Sequence, residues 1–197
     1  MTIAIIGAGA IGSAIARKLA HNGIDAVIAN SRGADSLKAL TDELGPHIKA
    51  VGVQEAAKAD IVFLAVNWGR VGAALAGLGP WEGRILIDAN NAVEVPSYKA
   101  VDLGGRASSD VVADLAPGAR VVKAFNHLAA SVLDAEPTAN GGRRVLFLAG
   151  PDADAKKTVG ELIGKLGFAP VDLGGVDAGR LIQFPGPLAI LNLVKVD

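Results

Sequence analysis

The sequence contains no cysteine, which excludes disulfide bonds, thiolate catalysis and metal sites built from cysteine. Its three histidines, His21, His47 and His127, lack the spacing of metal ligands, so we expect no metal site. Aromatic residues make up only 4% of the chain, although 51% of its residues are apolar. The core must therefore consist mainly of Ala, Val, Ile and Leu, a composition that suits closely packed strands and helices.

The chain also lacks an excess of either charge, because its formal net charge at pH 7 is −1. Such a balance gives no electrostatic attraction for nucleic acid or for an anionic membrane. The apolar run at 181–194 is too short to span a bilayer and contains Pro185 and Pro187. No basic segment precedes the first apolar run, as it would in a signal peptide. We therefore expect a cytoplasmic protein that binds neither nucleic acid nor a membrane.

Short apolar runs alternate with amphipathic stretches along the 197 residues, which is the pattern of strand–helix units in a mostly parallel sheet. The runs are continuous rather than alternating, as is typical of strands covered on both faces. The fold class that this pattern predicts is α/β, with a doubly wound sheet. The predicted strands are residues 2–6, 25–29, 48–51, 60–66, 84–88, 120–125, 144–149 and 169–173.

Two helices have clear signals, and the chain divides into two parts. Apolar residues at a spacing of four predict a helix directly after the first strand. A second helix is predicted over 152–166, with Asp152 or Asp154 as its cap. We expect one α/β domain over 1–176 and a short, broken apolar helix over 177–197, packed near a pocket of that domain or against a second chain.

The most informative motif follows the first predicted strand. It matches G-x-G-x-x-G and comprises Gly7, Ala8, Gly9, Ala10, Ile11 and Gly12. Because an apolar strand precedes it and an amphipathic helix follows, it has the context of a dinucleotide-binding fingerprint, in which the second glycine lets the backbone approach a pyrophosphate. The alternative is that the glycines only permit a tight turn. We favour the fingerprint, which makes the predicted fold Rossmann-type.

The second predicted strand ends in a polar trio without an acid, Asn30, Ser31 and Arg32. In a dinucleotide-binding fold this strand end lies near the adenine ribose, where NAD enzymes usually place Asp or Glu for the 2′-hydroxyl. A carboxylate would repel a 2′-phosphate, whereas serine offers a hydroxyl and arginine a forked, charged donor. The trio therefore predicts NADP(H), although a solvated turn of ordinary turn formers is the alternative.

Polar and aromatic residues also follow three later strands, at the sheet edge where ligands bind in such folds. These candidates for the nicotinamide half of the site are Val66, Asn67, Trp68, Asn90, Asn91, Asn126, His127 and Leu128. His127 could donate a proton, but a lone histidine after a strand is more often structural. No catalytic triad, carboxylate pair or P-loop lysine accompanies them. Hydride transfer to a flavin-like ring needs alignment more than acid or base, so the sequence favours that chemistry.

Five segments of the chain are distinctive when they are taken together: IAIIGAGAIGSAIARKLA, NSRG, DIVFLAVNW, GARVVKAFNHLAA and VLFLAGPDADAKKTVGELIGKLGFAPVDLG. They resemble the NADPH-dependent coenzyme F420 reductases. The NADP-binding domain of the STEAP metalloreductases is similar, and pyrroline-5-carboxylate reductases are more distant relatives. The resemblance covers almost the whole chain.

This resemblance implies NADP(H) in the groove at the glycine loop and a second ring-shaped redox cofactor, F420 or a flavin such as FMN or FAD, stacked on the nicotinamide. It also implies a homodimer and no obligatory acid or base. The residues that it assigns are Ala8–Ile11 for the pyrophosphate, Ser31 and Arg32 for the 2′-phosphate, Val66–Trp68 and Asn90 for the nicotinamide half, and Asn126–Ala130 for the accepting ring.

Two other functions remain open at this point. One is the NADPH-dependent reduction of a small carbonyl or imine, with His127 or Tyr98 as the proton donor. The other is an NADPH-binding sensor module that converts no substrate.

Overall fold

The computed structural model describes residues 1–196, and ten strands form its sheet. Their bounds are β1 Ile3–Ile6, β2 Ala26–Ala29, β3 Ile48–Ala50, β4 Ile61–Leu64, β5 Ile85–Asp88, β6 Arg120–Ala124, β7 Thr138–Ala139, β8 Gly142–Ala149, β9 Ala169–Asp172 and β10 Val194–Lys195. Eight of them correspond to the predicted strands. The two-residue strands β7 and β10 were not predicted, because so short a run carries no periodicity.

Six of the strands are parallel and run in the order β3-β2-β1-β4-β5-β6. Strand β8 continues the sheet antiparallel to β6 and pairs in turn with β7, β9 and β10. This arrangement confirms the predicted α/β class with a doubly wound, mostly parallel sheet. The winding direction reverses between β1 and β4, and ligands of such sheets bind in the crevice at that switch point.

Eight helices in the described residues connect the strands: α1 Ala10–His21, α2 Lys38–Leu44, α3 Val53–Ala56, α4 Val71–Leu75, α5 Ser108–Leu115, α6 Ala130–Asp134, α7 Ala153–Lys165 and α8 Gly179–Ile182. The two predicted helices correspond to α1 and α7. Of the two proposed caps, Asp152 is the one in use, since its side chain accepts a hydrogen bond from the Ala155 N–H at 2.7 Å. None of the helices in residues 1–196 is both long and apolar enough to cross a membrane.

Both faces of the sheet are buried, which explains the continuous apolar runs. Successive residues of a strand point to opposite faces, and they enter different core clusters. Ile5 of β1 belongs to the cluster that contains Ile15 of α1. Its neighbour Ile6 belongs to the cluster on the other face, with Val71 and Leu75 of α4. The carboxyl ends of the strands are thereby held between two helical layers.

The C-terminal segment is helical only over the single turn of α8 and a short 3₁₀ turn before it. Its backbone then crosses the carboxyl ends of β5 and β6. The Asn126 side chain donates to the Ile182 carbonyl at 2.7 Å, and the Phe184 N–H donates to Asn91 Oδ1 at 3.0 Å. Further along, the Ile190 N–H donates to the backbone carbonyl that follows Asn126 in the chain, at 2.7 Å.

Candidate functional site

The three fingerprint glycines occupy different environments in the turn between β1 and α1. Gly7 has a φ of +112°, and a Cβ built on it would lie 2.1 Å from the Ala65 carbonyl oxygen. A Cβ on Gly12 would lie 1.9 Å from the Gly7 carbonyl oxygen. Gly9, in contrast, has no other atom within 4 Å of its Cβ position. Folding therefore requires glycine at the first and third positions, while the second faces open space.

The turn also presents free backbone donors. The first hydrogen bond of α1 runs from the Ser13 N–H to the Gly9 carbonyl at 2.9 Å, and no side chain caps the helix. The N–H groups of residues 10–12 precede that bond and have no partner inside the helix. Together with the helix dipole, they make this end of α1 suited to a phosphate group.

A cavity of about 700 Å³ opens along the carboxyl ends of β1, β2 and β4. This volume is ordinary for a small-molecule site. We call it the arginine cavity, because two arginines line it and no acidic residue among residues 1–196 does. The polar residues of its lining are Asn30, Ser31, Arg32, Gln54, Asn67 and Arg70. The arginine cavity thus contains both the glycine turn and the predicted polar trio of residues 30–32.

Asn30 shapes the loop that carries Ser31 and Arg32. Its Oδ1 accepts the Arg32 N–H at 2.8 Å, and its Nδ2 donates to Ser36 Oγ at 2.9 Å. Ser36 Oγ lies 2.7 Å from the Gly33 carbonyl oxygen, which it can reach as a donor. The Asn30 amide is therefore occupied within the loop, and Ser31 and Arg32 remain exposed at this end of β2.

A second cavity of about 500 Å³ adjoins the first along the ends of β4, β5 and β6. The two cavities share Gly9, Ala65, Val66 and Asn67 in their linings, so they form one groove. We call this half the neutral cavity, because no residue within 1–196 that lines it carries a charge. The predicted residues that line it are Gly9, Ala10, Ile11, Val66, Asn67, Trp68, Asn90, Asn91, Tyr98, Asn126, Leu128, Ala129 and Ala130, and the structure adds Phe184 and Ile190.

A buried ion pair organises the loop after β5. Lys123 Nζ lies 3.0 Å from Asp88 Oδ2, and their side chains are 2% and 0% exposed. Nζ also donates to Ser108 Oγ at 3.0 Å and to the Asn90 carbonyl. Burial lowers the pKa of Lys123, and attraction to the carboxylate opposes that shift. Asp88 Oδ1 accepts from Asn90 Nδ2 at 2.9 Å, and Asn90 Oδ1 accepts from the Val66 N–H at 2.9 Å. The ion pair thus positions the backbone that both cavities share.

Two asparagines join the neutral cavity to the C-terminal segment. Asn91 Nδ2 donates to the Asn126 backbone carbonyl at 2.8 Å, and Asn126 Nδ2 lies 3.1 Å from Asn91 Oδ1. Through Phe184 and Ile182, the same two side chains hold the segment in place. The Asn126 Oδ1 is buried and makes no hydrogen bond. An unpaired acceptor in the wall of a cavity is a natural partner for a ligand N–H group.

His127 lies behind the cavity wall and does not line it. His127 is 1% exposed, and the centroid of its ring lies 5.0 Å from the centroid of the Phe147 ring. Burial lowers its pKa from 6.5 to about 4, and the backbone of Val145 opposes the shift, although neither ring nitrogen makes a hydrogen bond of ordinary geometry. A neutral, enclosed ring does not suit a proton donor. The placement favours the structural role, which the sequence also favoured over that of a proton donor.

The buried ring of His127 should make the fold sensitive to acid. In the unfolded chain His127 binds its proton near pH 6.5, whereas in the folded chain it does so only near pH 4. Between these values the unfolded state holds more protons, so stability falls as the pH falls. We expect a loss of about 2 kcal/mol in the free energy of unfolding between pH 7 and 5, measured by urea denaturation. His127→Phe should lack this part of the slope, and equal slopes in both proteins would contradict the prediction.

The groove therefore gathers most of the predicted site residues, with two exceptions. Gly12 lies under the turn as a packing residue, and His127 lies behind the wall. Sequence reasoning gave no role to Arg70, although this residue ends the segment 66–70 after the fourth predicted strand and lines the arginine cavity. No group of three or more His, Cys, Asp or Glu side chains in residues 1–196 is arranged to hold a metal ion.

The Rossmann sheet, the glycine turn with its free N–H groups and the acid-free arginine cavity together have the features of a site for a phosphorylated dinucleotide. Residues 2–92, which run from β1 to the loop after β5, match the family model described as “NADP oxidoreductase coenzyme F420-dependent”. The resemblance inferred from the sequence is confirmed by this match.

The chain is similar over almost its whole length to a protein of known structure, the hypothetical protein SMa0349 from Sinorhizobium meliloti. The two are 51% identical with a TM-score of 0.95, over 99% of this chain and 96% of that one. This chain belongs to the same family as SMa0349.

Two further relatives have more informative names. A putative F420 dependent NADP-reductase from Arthrobacter sp. FB24 is 27% identical, with a TM-score of 0.78 over 91% of this chain and 87% of that one. Metalloreductase STEAP3 from Rattus norvegicus is 31% identical over 196 residues, which are 98% of this chain and 38% of STEAP3. The chain thus spans well under half the length of this curated relative.

Proposed function

We propose that the protein transfers hydride between NADP(H) and a flat redox ring, either the deazaflavin F420 or a flavin such as FMN or FAD. The observation that supports this most strongly is the contrast within one groove. An arginine cavity without acids adjoins a neutral cavity without any charged lining residue among residues 1–196. The first suits a phosphorylated adenosine, and the second suits the nicotinamide with an uncharged ring beside it.

In this proposal the chain binds the dinucleotide at three places. Residues 8–11 direct the N–H groups at the start of α1 towards the pyrophosphate, and the open space over Gly9 lets it come close. Ser31 and Arg32 bind the 2′-phosphate with a hydroxyl and a forked, charged donor. The residues around Asn67, shared by the two cavities, border the ribose on the nicotinamide side.

The neutral cavity aligns the two rings and keeps water away from them. Trp68, Leu128, Phe184 and Ile190 supply apolar and aromatic surface around it, and the asparagine amides supply hydrogen bonds. NADPH supplies a hydride, and the accepting ring takes up that hydride and one proton from solvent, so it gains two electrons. Such a transfer depends mainly on orientation and on exclusion of water, which this wall provides.

The lack of acid–base groups in the neutral cavity favours a ring acceptor over a carbonyl. Lys123 and Asp88 are buried behind Asn90 and satisfy one another. The hydroxyl of Tyr98 is the exception, because Tyr98 lines the cavity and is 65% exposed. This residue supports reduction of a small carbonyl or imine as the second candidate function. Tyr98→Phe would abolish that reaction and leave hydride transfer to a ring intact.

The experiment that tests the proposal mixes the protein with NADPH and, separately, with oxidised F420, FMN and FAD under anaerobic conditions. We expect the nicotinamide absorbance to fall together with that of one of the rings. Ala129→Trp should slow this reaction strongly and spare NADPH affinity, because Ala129 is exposed and lines the neutral cavity. Ala113→Trp, at an exposed position of α5 outside both cavities, is the matched control.

The outcomes separate the candidate functions. Tight NADPH binding without oxidation by any ring, but with oxidation by small carbonyls or imines, would replace the proposal by the second candidate. Binding without any turnover would favour a sensor role. The same loss of activity in Ala129→Trp and Ala113→Trp would remove the neutral cavity from the reaction.

We also propose that the protein works as a cytoplasmic homodimer and that the segment from residue 177 closes one side of the pocket. Phe184 and Ile190, which lie in that segment and line the neutral cavity, support the second part. Exposed apolar side chains support the first, since Ile190 is 68% and Val196 is 66% exposed.

A further inference from the structure

Arg70 is the second cation of the arginine cavity, and no role has been assigned to it so far. Within residues 1–196, its guanidinium makes no ion pair or hydrogen bond, and the same is true of Arg32. Both side chains are exposed, and both line the arginine cavity, to which no acidic residue among residues 1–196 contributes. Two unpaired guanidinium groups around one cavity form a site for an anion.

The helix register explains why Arg70 faces the cavity. Arg70 is the last residue of the 3₁₀ turn Trp68–Arg70. The geometry of this turn is fixed by a hydrogen bond of 2.8 Å from the Arg70 N–H to the Asn67 carbonyl. Residues three and four positions apart share a face of a helix. Ala73 and Ala74 accordingly line the cavity together with Arg70, while the next residue after Arg70 in the chain is buried in the core.

The two arginines approach the cavity from opposite sides. Arg32 follows β2 and Arg70 follows β4, and these strands flank β1 in the sheet. Neighbouring strands are about 4.8 Å apart, so β2 and β4 are separated by about 10 Å. Two arginine side chains can converge across that distance on a single phosphate group. The small side chains of Ala73 and Ala74 leave the space between them open.

We propose that Arg70 is a specificity-determining residue that binds the 2′-phosphate of NADP(H) jointly with Arg32. A phosphate monoester carries a charge of about −1.5 to −2 near neutral pH, and a single guanidinium balances only part of it. Arg70 supplies the remaining positive charge from the opposite wall. This inference rests on the proposed NADP(H) function and extends it to a residue that follows a different strand.

The test is isothermal titration calorimetry, which measures the affinity of the protein for NADPH, NADH, 2′-AMP and 5′-AMP. Arg70→Ala should weaken binding of NADPH and of 2′-AMP by about tenfold to a hundredfold, and it should change that of NADH and 5′-AMP by less than about threefold. Arg70→Lys should retain part of the preference, because it keeps the charge and loses the fork. Arg32→Ala provides the reference effect. Arg106→Ala, which removes an exposed arginine outside the cavity, is the matched control.

Each outcome decides between the two proposals. Equal weakening of NADPH and NADH in Arg70→Ala would place Arg70 at the pyrophosphate and overturn this inference. A preference for NADPH that Arg32→Ala abolishes and Arg70→Ala leaves intact would also overturn it, while the proposed NADP(H) function would stand. A wild-type protein that binds NADPH and NADH equally well would overturn both. Thermal unfolding of each variant shows that a loss of affinity is not a loss of fold.

Discussion

Replacing Lys123 by methionine should lower the free energy of unfolding by about 3–5 kcal/mol. Methionine is unbranched like lysine and only one heavy atom shorter, so no large cavity forms. It leaves the carboxylate of Asp88, which is 0% exposed, without a countercharge in the interior. Three neutral donors would remain to it: the Ser109 hydroxyl at 2.9 Å, the Asn90 side-chain amide at 2.9 Å and the Asn90 backbone N–H at 3.1 Å. Urea denaturation followed by circular dichroism measures the change.

Two comparisons make this prediction specific to the buried charge. Lys123→Met combined with Asp88→Asn should lose less stability than Lys123→Met alone, because no unpaired charge is left inside. Lys38→Met breaks an ion pair with Asp42 in which both side chains are mostly exposed, and it should cost less than about 1 kcal/mol. A stability of Lys123→Met within about 1 kcal/mol of the wild type would contradict the prediction.

The second large effect is expected at Gly12. Gly12→Ala should lower the free energy of unfolding by roughly 2–3 kcal/mol, because its methyl group would overlap the Gly7 carbonyl oxygen, 1.9 Å away. Backbone atoms cannot move aside as a flexible side chain can. Helix α1 would therefore have to shift away from the turn after β1. Thermal and urea unfolding both measure this loss.

Gly9→Ala is the contrasting variant in the same turn. It should leave the free energy of unfolding almost unchanged, since no atom lies within 4 Å of the new methyl group. It should weaken NADPH and NADH binding alike, because that methyl group would occupy the space proposed for the pyrophosphate. Equal stability losses in Gly9→Ala and Gly12→Ala would contradict the assignment of separate roles to the two glycines.

Features that depend on local pattern could be predicted from the sequence. Apolar runs located the strands, because a doubly covered sheet requires buried side chains on both faces. The glycine spacing located the turn after β1, because its close contacts exclude any Cβ at two of the three positions. Asp152 was one of two predicted caps. It is the residue directly before the helix, which is the position of an N-cap. The class of fold followed from these signals together.

The orientation of residues after β6 could not be predicted. Phe125 adopts a φ of +63°, a conformation that is rare for a bulky residue, and its ring packs edge-on against Phe63 at 5.1 Å. The alternation of side chains along the strand is interrupted there. Asn126 consequently faces the neutral cavity and His127 faces the interior. The amino-acid sequence carries no signal for the direction in which the backbone turns here.

Long-range contacts are the other part that the sequence could not supply. Arg70 is one exposed arginine among several, and only the register of the turn from Trp68 brings it to the wall opposite Arg32. The C-terminal segment reads as an apolar helix, but after α8 it continues as turns, and side-chain bonds from Asn91 and Asn126 fix its start against the sheet. Both placements depend on residues distant in the chain.

The strands that have only one neighbour in the sheet are all short: four residues in β9, three in β3 and two each in β7 and β10. A short edge offers few unpaired main-chain groups to another strand, and β10 also carries Lys195, a type of residue that disfavours strand addition. Two copies of the chain therefore have little opportunity to join their sheets into one. We therefore expect side chains rather than strand pairing to hold the proposed homodimer together, and association into extended β-aggregates is disfavoured at these edges.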